Sequence, residues 1–365
     1  MTERMPELLR EKILAEESRV SAEILKPRGA SRRRVLLAGG AGYIGTPLTA
    51  SLLERGYEVR CLDLLLYQNR DCVTPFLGHP GYRFVFGDVG DPAAVAAALE
   101  GVTDVIALAG MVGDPITKKY PREHQAINEY GLARFIDTLD GRGLNKVIMV
   151  STCSNYGEIP SDSLADENYP LKPLSLYANA KVAREKQVLG GANKVDYCGT
   201  VLRFATAFGL SGRMRFDLTV SEFTRDLFGG AVLEVYDADT WRPYCHVRDF
   251  ARVLTRVLEM PRQDVGFEVF NAGGEANNYT KKMIVEAVQR HFPQSRFELV
   301  DKGGADRRNY KVDFSKIRTR LHFEPEFSVE QGVVELIDAL RQGFFADYGQ
   351  RLNFYRNNEL HYFTK

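Results

Sequence analysis

The sequence predicts an α/β protein: a doubly wound parallel sheet followed by a smaller, partly interleaved C-terminal part that binds substrate. Three observations predict it. From Val35 onward, short apolar runs with strand character alternate with helical patterns; a glycine-rich turn joins the first run to the first helix; and an acidic residue, Asp63, closes the second run.

The elements follow in chain order. Residues 1–32 read as an N-terminal helical extension and linker, with Leu8, Leu9, Ile13 and Leu14 set among charges as in an exposed amphipathic helix, and RGASRRR as the connection. Residues 33–205 form a nucleotide-binding domain. Its strands are VLLAG, EVRCLDL, YRFVFGD, DVIALAG, KVIMVST and YCGTVLRF. Its helices are TPLTASLLERG, PAAVAAALEG, a long helix through Asn128 and Phe135 to Leu139, and the SLYANAK segment. After Arg203 the alternation loosens. Residues 206–345 hold a helix through Phe216 to Phe228, short strands around Leu233 and Phe267, and helices near Lys282 and Glu335, while a segment near 244–262 returns to the main sheet. Residues 346–365 are an aromatic tail without helical periodicity, expected to pack on the body or on a neighbouring subunit.

Composition narrows the function. Of 365 residues, 44% are hydrophobic, enough for a large core, and 48 basic residues balance 48 acidic ones. Zero net charge provides no general attraction to nucleic acid or membrane, so a small-molecule substrate is expected. No apolar run approaches the ~20 residues that span a bilayer, and the first twenty residues are too charged for a secretory signal, which predicts a cytoplasmic protein. Five scattered cysteines without a CxxC pair suit reduced thiols, and six histidines without an HExxH spacing predict no metal. The expected assembly is a homodimer.

The glycine turn carries the first chemistry. VLLAGGAGYIG sets Gly39, Gly42 and Gly45 between a strand and a helix, where glycine permits a tight turn and close approach to a pyrophosphate, and the helix N-terminus attracts negative charge. This is a Rossmann-type dinucleotide site. Asp63 is placed to bind the adenosine ribose hydroxyls and to repel a 2′-phosphate, which favours NAD over NADP. GDVGD after the third strand puts Asp88 and Val89 beside the adenine.

The second chemistry lies in SLYANAK. Tyr177 and Lys181 are four residues apart on a helix and share a face, so an ammonium lies beside a phenol and favours its ionised form.

Taken in order, GGAGYIG, Asp63, GDVGD, ALAG, STCSNYG and the Tyr177/Lys181 pair resemble the extended short-chain dehydrogenase/reductases of the nucleotide-sugar epimerase/dehydratase family. The resemblance covers residues 33 to 340, leaving out the N-terminal extension and the aromatic tail. It implies that Tyr177 is the catalytic base, that Lys181 lowers its pKa and holds the nicotinamide ribose, and that Thr152, five residues before Gly157, shares the substrate proton. It also implies cofactor contacts at Tyr43, Ile44, Leu108, Ala109, Gly110 and Asn128. Ser151 and Ser154 are expected to satisfy backbone groups. The 4,6-dehydratases carry an aspartate and a glutamate where this chain has Cys153 and Ser154, so ordinary dehydration is not expected. Cys153 is either a small buried filler or a thiol that reaches substrate. Thr206 stands where several relatives carry a sugar-contacting asparagine. A nucleotide-diphosphate sugar would meet Arg242 and Arg307 or Arg308, with Arg213 and Arg215 as weaker candidates, since guanidinium forks bind phosphate at two points. His246 is expected to be structural; the direction of Lys118, Lys119 and His124 is open. The implied reaction is oxidation of a ring hydroxyl, at C4, to a ketone. Its outcome is epimerisation if the hydride returns to the other face, or a 4-dehydrogenase or ketoreductase reaction if the product leaves. A non-catalytic dinucleotide sensor would have no need of Thr152, Tyr177 and Lys181 together.

Overall fold

A computed structural model describes residues 33–160, 162–301, 308–360 and 362. The predicted N-terminal extension and Arg307 lie outside the described residues. The strands are β1 (Arg34–Ala38), β2 (Glu58–Asp63), β3 (Tyr82–Phe86), β4 (Asp104–Ala107), β5 (Lys146–Thr152), β6 (Cys198–Phe204), β7 (Thr206–Phe208), β8 (Leu233–Tyr236), β9 (Trp241–His246), β10 (Glu268–Ala272), β11 (Asn278–Thr280) and β12 (Phe297–Val300).

Seven of them form one sheet in the order β3-β2-β1-β4-β5-β6-β10. Every neighbouring pair is parallel. Such a sheet is covered on both faces, which is why its central strands are built around apolar runs such as VLLA and VIMV. All seven residues of β5 and of β6 are buried. The chain winds outward from β1 to β3 and then crosses back to β4. The connections therefore diverge beyond the C-terminal ends of β1 and β4, where a doubly wound sheet opens its ligand crevice.

The C-terminal half returns to this sheet twice. The Val247–Glu259 helix packs on it, with Phe250 stacked on Phe204 at 3.9 Å between ring centroids. Lys146 at the start of β5 donates to Val257 O and Leu258 O at 2.7 and 2.8 Å, satisfying carbonyls at that helix's C-terminus. The strand expected near Phe267 is β10, the outermost strand of the large sheet. The smaller lobe consists of β11-β9-β7 and β12-β8, with the Thr219–Phe228, Lys281–Gln289 and Val329–Arg341 helices around a core of Phe223, Leu227, Ile284, Val288, Val333 and Ile337.

The long helix predicted through Asn128 is broken. It consists of Asp114–Lys119, Pro121–His124, a π-helical turn over Gln125–Gly131 and Leu132–Thr138. Pro121 cannot continue a helix through its missing N–H, and the π turn changes which side chains face the sheet. No helix among the described residues is long and apolar enough to cross a membrane.

Candidate active site

A cavity of about 670 Å³ opens beyond the C-terminal ends of β1, β4 and β5. The glycine turn forms its floor. Gly39 has φ 85°, and a Cβ there would lie 2.7 Å from the Ala109 backbone; at Gly45 a Cβ would drive into Gly40 O. Both glycines are therefore demanded by the fold itself, whereas at Gly42, which lines the cavity, a Cβ would meet Gly39 O at 3.3 Å. The Gly45–Glu54 helix begins at this turn, so its N-terminus, the positive end of its dipole, lies at the cleft. Tyr43 and Ile44 line the cleft; the Tyr43 hydroxyl also donates to Gly209 O at 2.6 Å, joining the turn to the C-terminal half.

Asp63 stands at the end of β2, its two oxygens accepting from Leu65 N at 2.8 Å and Ala41 N at 3.0 Å. Each carboxylate oxygen retains a further lone pair for a ribose hydroxyl. Nearby, Asn69 donates to Ala41 O at 2.8 Å, while its buried Oδ1 has no hydrogen-bond partner and belongs to a side chain that lines the cavity. Val89, Leu108, Ala109 and Gly110 continue the wall. A glycine turn at a helix N-terminus, a strand-end carboxylate and an orphaned polar atom fit a dinucleotide.

Two expected cofactor residues behave differently. Asp88 lines the cavity, but its oxygens accept from Gly90 N at 2.7 Å and from the hydroxyl of Tyr362, in the C-terminal tail, at 2.6 Å. Asn128 does not reach the cavity. It is buried and bonds both backbone groups of Met111, from Nδ2 to O at 2.9 Å and from N to Oδ1 at 2.8 Å. The π turn brings it behind the β4 loop, so it shapes that loop rather than touching cofactor.

Thr152, Tyr177 and Lys181 share one wall. Ser175 caps the Leu176–Leu189 helix by accepting from Ala178 N, which sets the helix start so that Tyr177 and Lys181 face inward. Lys181 Nζ donates to Val150 O at 2.8 Å and lies 5.9 Å from the Tyr177 ring centroid. One turn on, Glu185 accepts from Ser151 Oγ, from Asn155 at 2.7 Å and from Arg203 through both oxygens. This buried network fastens the helix to the ends of β5 and β6 and gives Ser151 a side-chain partner rather than the expected backbone one. Thr152 Oγ1 accepts from Ser154 N at 3.1 Å, which leaves its O–H to donate into the cavity.

The electrostatics reverse one expectation. Burial pushes the Tyr177 phenol well above its ordinary value, Asp114 adds to the effect, and Arg215 opposes it. Burial also pulls the Lys181 ammonium down to about 8, against Glu185. Desolvation of both groups outweighs the attraction inferred from their spacing.

On the substrate side, Thr206, Arg242 and Arg308 line the cavity. The Arg242 guanidinium lies 4.9 Å over the Tyr310 ring and donates to Trp241 O at 2.8 Å. Arg308 pairs with Asp114 at 2.9 Å, and the other Asp114 oxygen is buried without a hydrogen bond. Cys153 is removed from the substrate contacts: it is 1% exposed, donates to Arg203 O at 3.2 Å and packs in the core, where burial raises its thiol strongly. Ser154 bonds the Tyr310 hydroxyl at 3.0 Å instead of a backbone group. His246 is structural, accepting from Arg248 N through Nδ1 and pairing with Glu335 through Nε2 at 2.9 Å. Lys118, Lys119 and His124 do not line the cavity. Asp114, Arg213, Arg215 and four tail residues do. Of these, Arg213 and Arg215 were weak candidates from sequence, whereas Asp114 and the tail residues carry no motif that marks them.

A family profile described as the NAD dependent epimerase/dehydratase family matches residues 35–273. The chain is similar to the low-salt glycan biosynthesis protein Agl12 of Haloferax volcanii, 30% identical over 317 residues that cover 83% of this chain and 97% of Agl12. It is also similar to UDP-glucose 4-epimerase of Corynebacterium glutamicum, 25% identical over 321 residues, 83% of this chain and 94% of that enzyme. Among solved structures, DesIV, a dTDP-glucose 4,6-dehydratase from Streptomyces venezuelae with NAD bound, superposes with a TM-score of 0.77 at 24% identity, covering 87% of this chain and 98% of DesIV.

Proposed function

The chain belongs to the NAD dependent epimerase/dehydratase family and its cofactor is NAD, and from this we propose that it is a nucleotide-sugar epimerase that oxidises a ring hydroxyl, at C4, to a transient ketone. The hydride then returns to the opposite face of the ring. The observation that carries this reading is the wall of Thr152, Tyr177 and Lys181, followed by a Cys153 turned into the core and a Ser154 bonded to Tyr310. The two positions that hold a carboxylate pair in the related dehydratases hold no acid here.

Bound in the cleft, NAD⁺ would supply the hydride acceptor and donor, and its positive ring would offset the burial that raises the phenol. Tyr177 takes the proton of the sugar hydroxyl and gives it back, and the Thr152 O–H donates to the same oxygen as charge builds on it. Lys181, held by Val150 O, has further N–H donors for the nicotinamide ribose. Arg242 and Arg308 supply fixed positive charge where a sugar diphosphate enters.

The test is incubation with a panel of nucleotide sugars, following NADH absorbance together with product NMR. A changed sugar without NADH build-up is the expected result. Steady NADH accumulation makes the protein a 4-dehydrogenase, or in reverse a ketoreductase, and a deoxy-ketosugar makes it a dehydratase; either result overturns the epimerase reading.

A further inference from the structure

The C-terminal tail lies outside the matched stretch, yet it forms part of the cleft. After the Val329–Arg341 helix the chain turns, and a short Leu352–Tyr355 helix buries Phe354 and Tyr355 beside Phe216, whose N–H donates to Tyr355 O at 2.9 Å. From this anchor the tail crosses the cavity mouth. Asn357 Nδ2 donates to Val112 O at 2.8 Å, and Lys119 Nζ donates to Asn358 O at 3.1 Å, both on the segment that follows β4. Leu360 is buried among Tyr67, Met111, Ile116 and Ile127, and the Tyr362 hydroxyl reaches Asp88 beyond β3. The tail is thus bonded to both sides of the cleft, and its far end sits at the place expected for the adenine.

Beneath it lies Arg213. This side chain is 3% exposed, forms no ion pair among the described residues, and has a buried Nε without a hydrogen-bond partner, although it lines the cavity. Its other contacts are the tail and Tyr67: Nη2 donates to Asn357 Oδ1 at 2.7 Å and Arg356 O at 3.3 Å, and the guanidinium lies 4.6 Å over the Tyr67 ring. Burial and the nearby Arg215 pull it down to about 10. The Asp217 and Asp63 carboxylates act on it from beyond ion-pair distance, and a buried guanidinium so weakly compensated is unfavourable unless an anion meets it. The surroundings say which anion. Ser211 Oγ donates to Tyr43 O at 2.7 Å, and a Cβ on Gly212 would lie 2.8 Å from the Thr46 side chain, so this segment rests on the phosphate-binding turn itself.

We propose that residues 356–360 together with Tyr362 are a strap that retains the dinucleotide, with Asn357 and Tyr362 as positioning residues: Asn357 supports Arg213 as a contact for the cofactor diphosphate, and Tyr362 fixes Asp88 at the adenosine end. The inference rests on NAD as cofactor and not on the epimerase reading, so the two fail separately.

The test measures NAD release from the loaded protein and binding of UDP and TDP, in wild type, in Arg213→Met, Asn357→Ala and Tyr362→Phe, and in a chain ending after Tyr355. The shortened chain and Arg213→Met should release NAD about tenfold faster or more, and the other two a few-fold faster, as expected for removing one or two hydrogen-bonded supports. Nucleoside diphosphate affinity should stay within about twofold of wild type. Shortening the chain in the Arg213→Met background should add less than it does alone, a coupling that unrelated structural damage does not produce. Unchanged or slower NAD release in the shortened chain overturns the proposal. So does loss of nucleoside diphosphate binding with NAD retention intact, which would assign Arg213 to the sugar substrate. If the shortened chain fails to fold, the single substitutions decide by the same criteria.

Discussion

Lys181→Met should stabilise this protein while disabling it. The lysine is 3% exposed and its ammonium is pulled from 10.5 to about 8, chiefly by burial, with Glu185 in opposition. A group whose folded-state pKa lies below its unfolded value binds more protons in the unfolded chain, so stability rises with pH between the two values. The full penalty is therefore present below pH 8 and is gone above about 10.5. At pH 7 it amounts to about 3 kcal/mol. Methionine fills a similar volume without charge, but it leaves the buried Val150 O without its 2.8 Å donor, a loss of about 1–3 kcal/mol. The net expectation is a gain of up to about 2 kcal/mol at pH 7. Urea unfolding of the NAD-free proteins at pH 7 and at pH 10 checks it. Comparing mutant with wild type at each pH cancels the other groups that titrate over that range, and the mutant's advantage should shrink as wild-type Lys181 loses its proton. A mutant less stable than wild type at pH 7, or an advantage that does not change with pH, would refute the argument that burial dominates at this site.

Three further outcomes are expected. Tyr177→Phe keeps the ring but removes the group placed to take the hydroxyl proton, so NADH formation in single turnover should vanish while nucleotide-sugar binding by calorimetry persists; substantial turnover at any pH would remove Tyr177 from the chemistry. Cys153→Ala empties a small core site and should leave kcat within a few-fold of wild type, whereas a loss of about 10²-fold, the scale of a general acid or base, would make the thiol catalytic. NAD should bind far more tightly than NADP, because Asp63 lines the cleft at the end of β2 and a 2′-phosphate on the adenosine ribose would meet its charge; calorimetry showing the opposite order would exclude that role.

Much of the frame is legible residue by residue, and the exceptions share a cause. Gly39 and Gly45 are recognisable because the turn that needs them spans only a few residues. Tyr177 and Lys181 are recognisable because helical spacing alone brings them together. Asn128 sits in the expected segment yet points elsewhere, because a π turn shifts its register, and no periodicity signals such a turn. Cys153 follows Thr152 directly, and its direction depends on the short 3₁₀ turn at the strand end, which sends its thiol towards Arg203 O.

The sequence by itself determined the parallel α/β architecture, the dinucleotide turn, the acid at the end of β2 and the helix that carries Tyr177 and Lys181, since each is written in the period of apolar residues or in spacings of a few positions. Only the tertiary structure decided what surrounds them. It paired Glu185 with Arg203, set Asp114 against Arg308 beside Tyr177, left Arg213 buried with no ion pair among the described residues, and drew Asn357 and Tyr362 across the cleft from 245 and 274 residues away from their partners Val112 and Asp88. It also reversed the balance at Tyr177, because the penalty for burying a charge depends on everything packed around it and not on the neighbour one helical turn away.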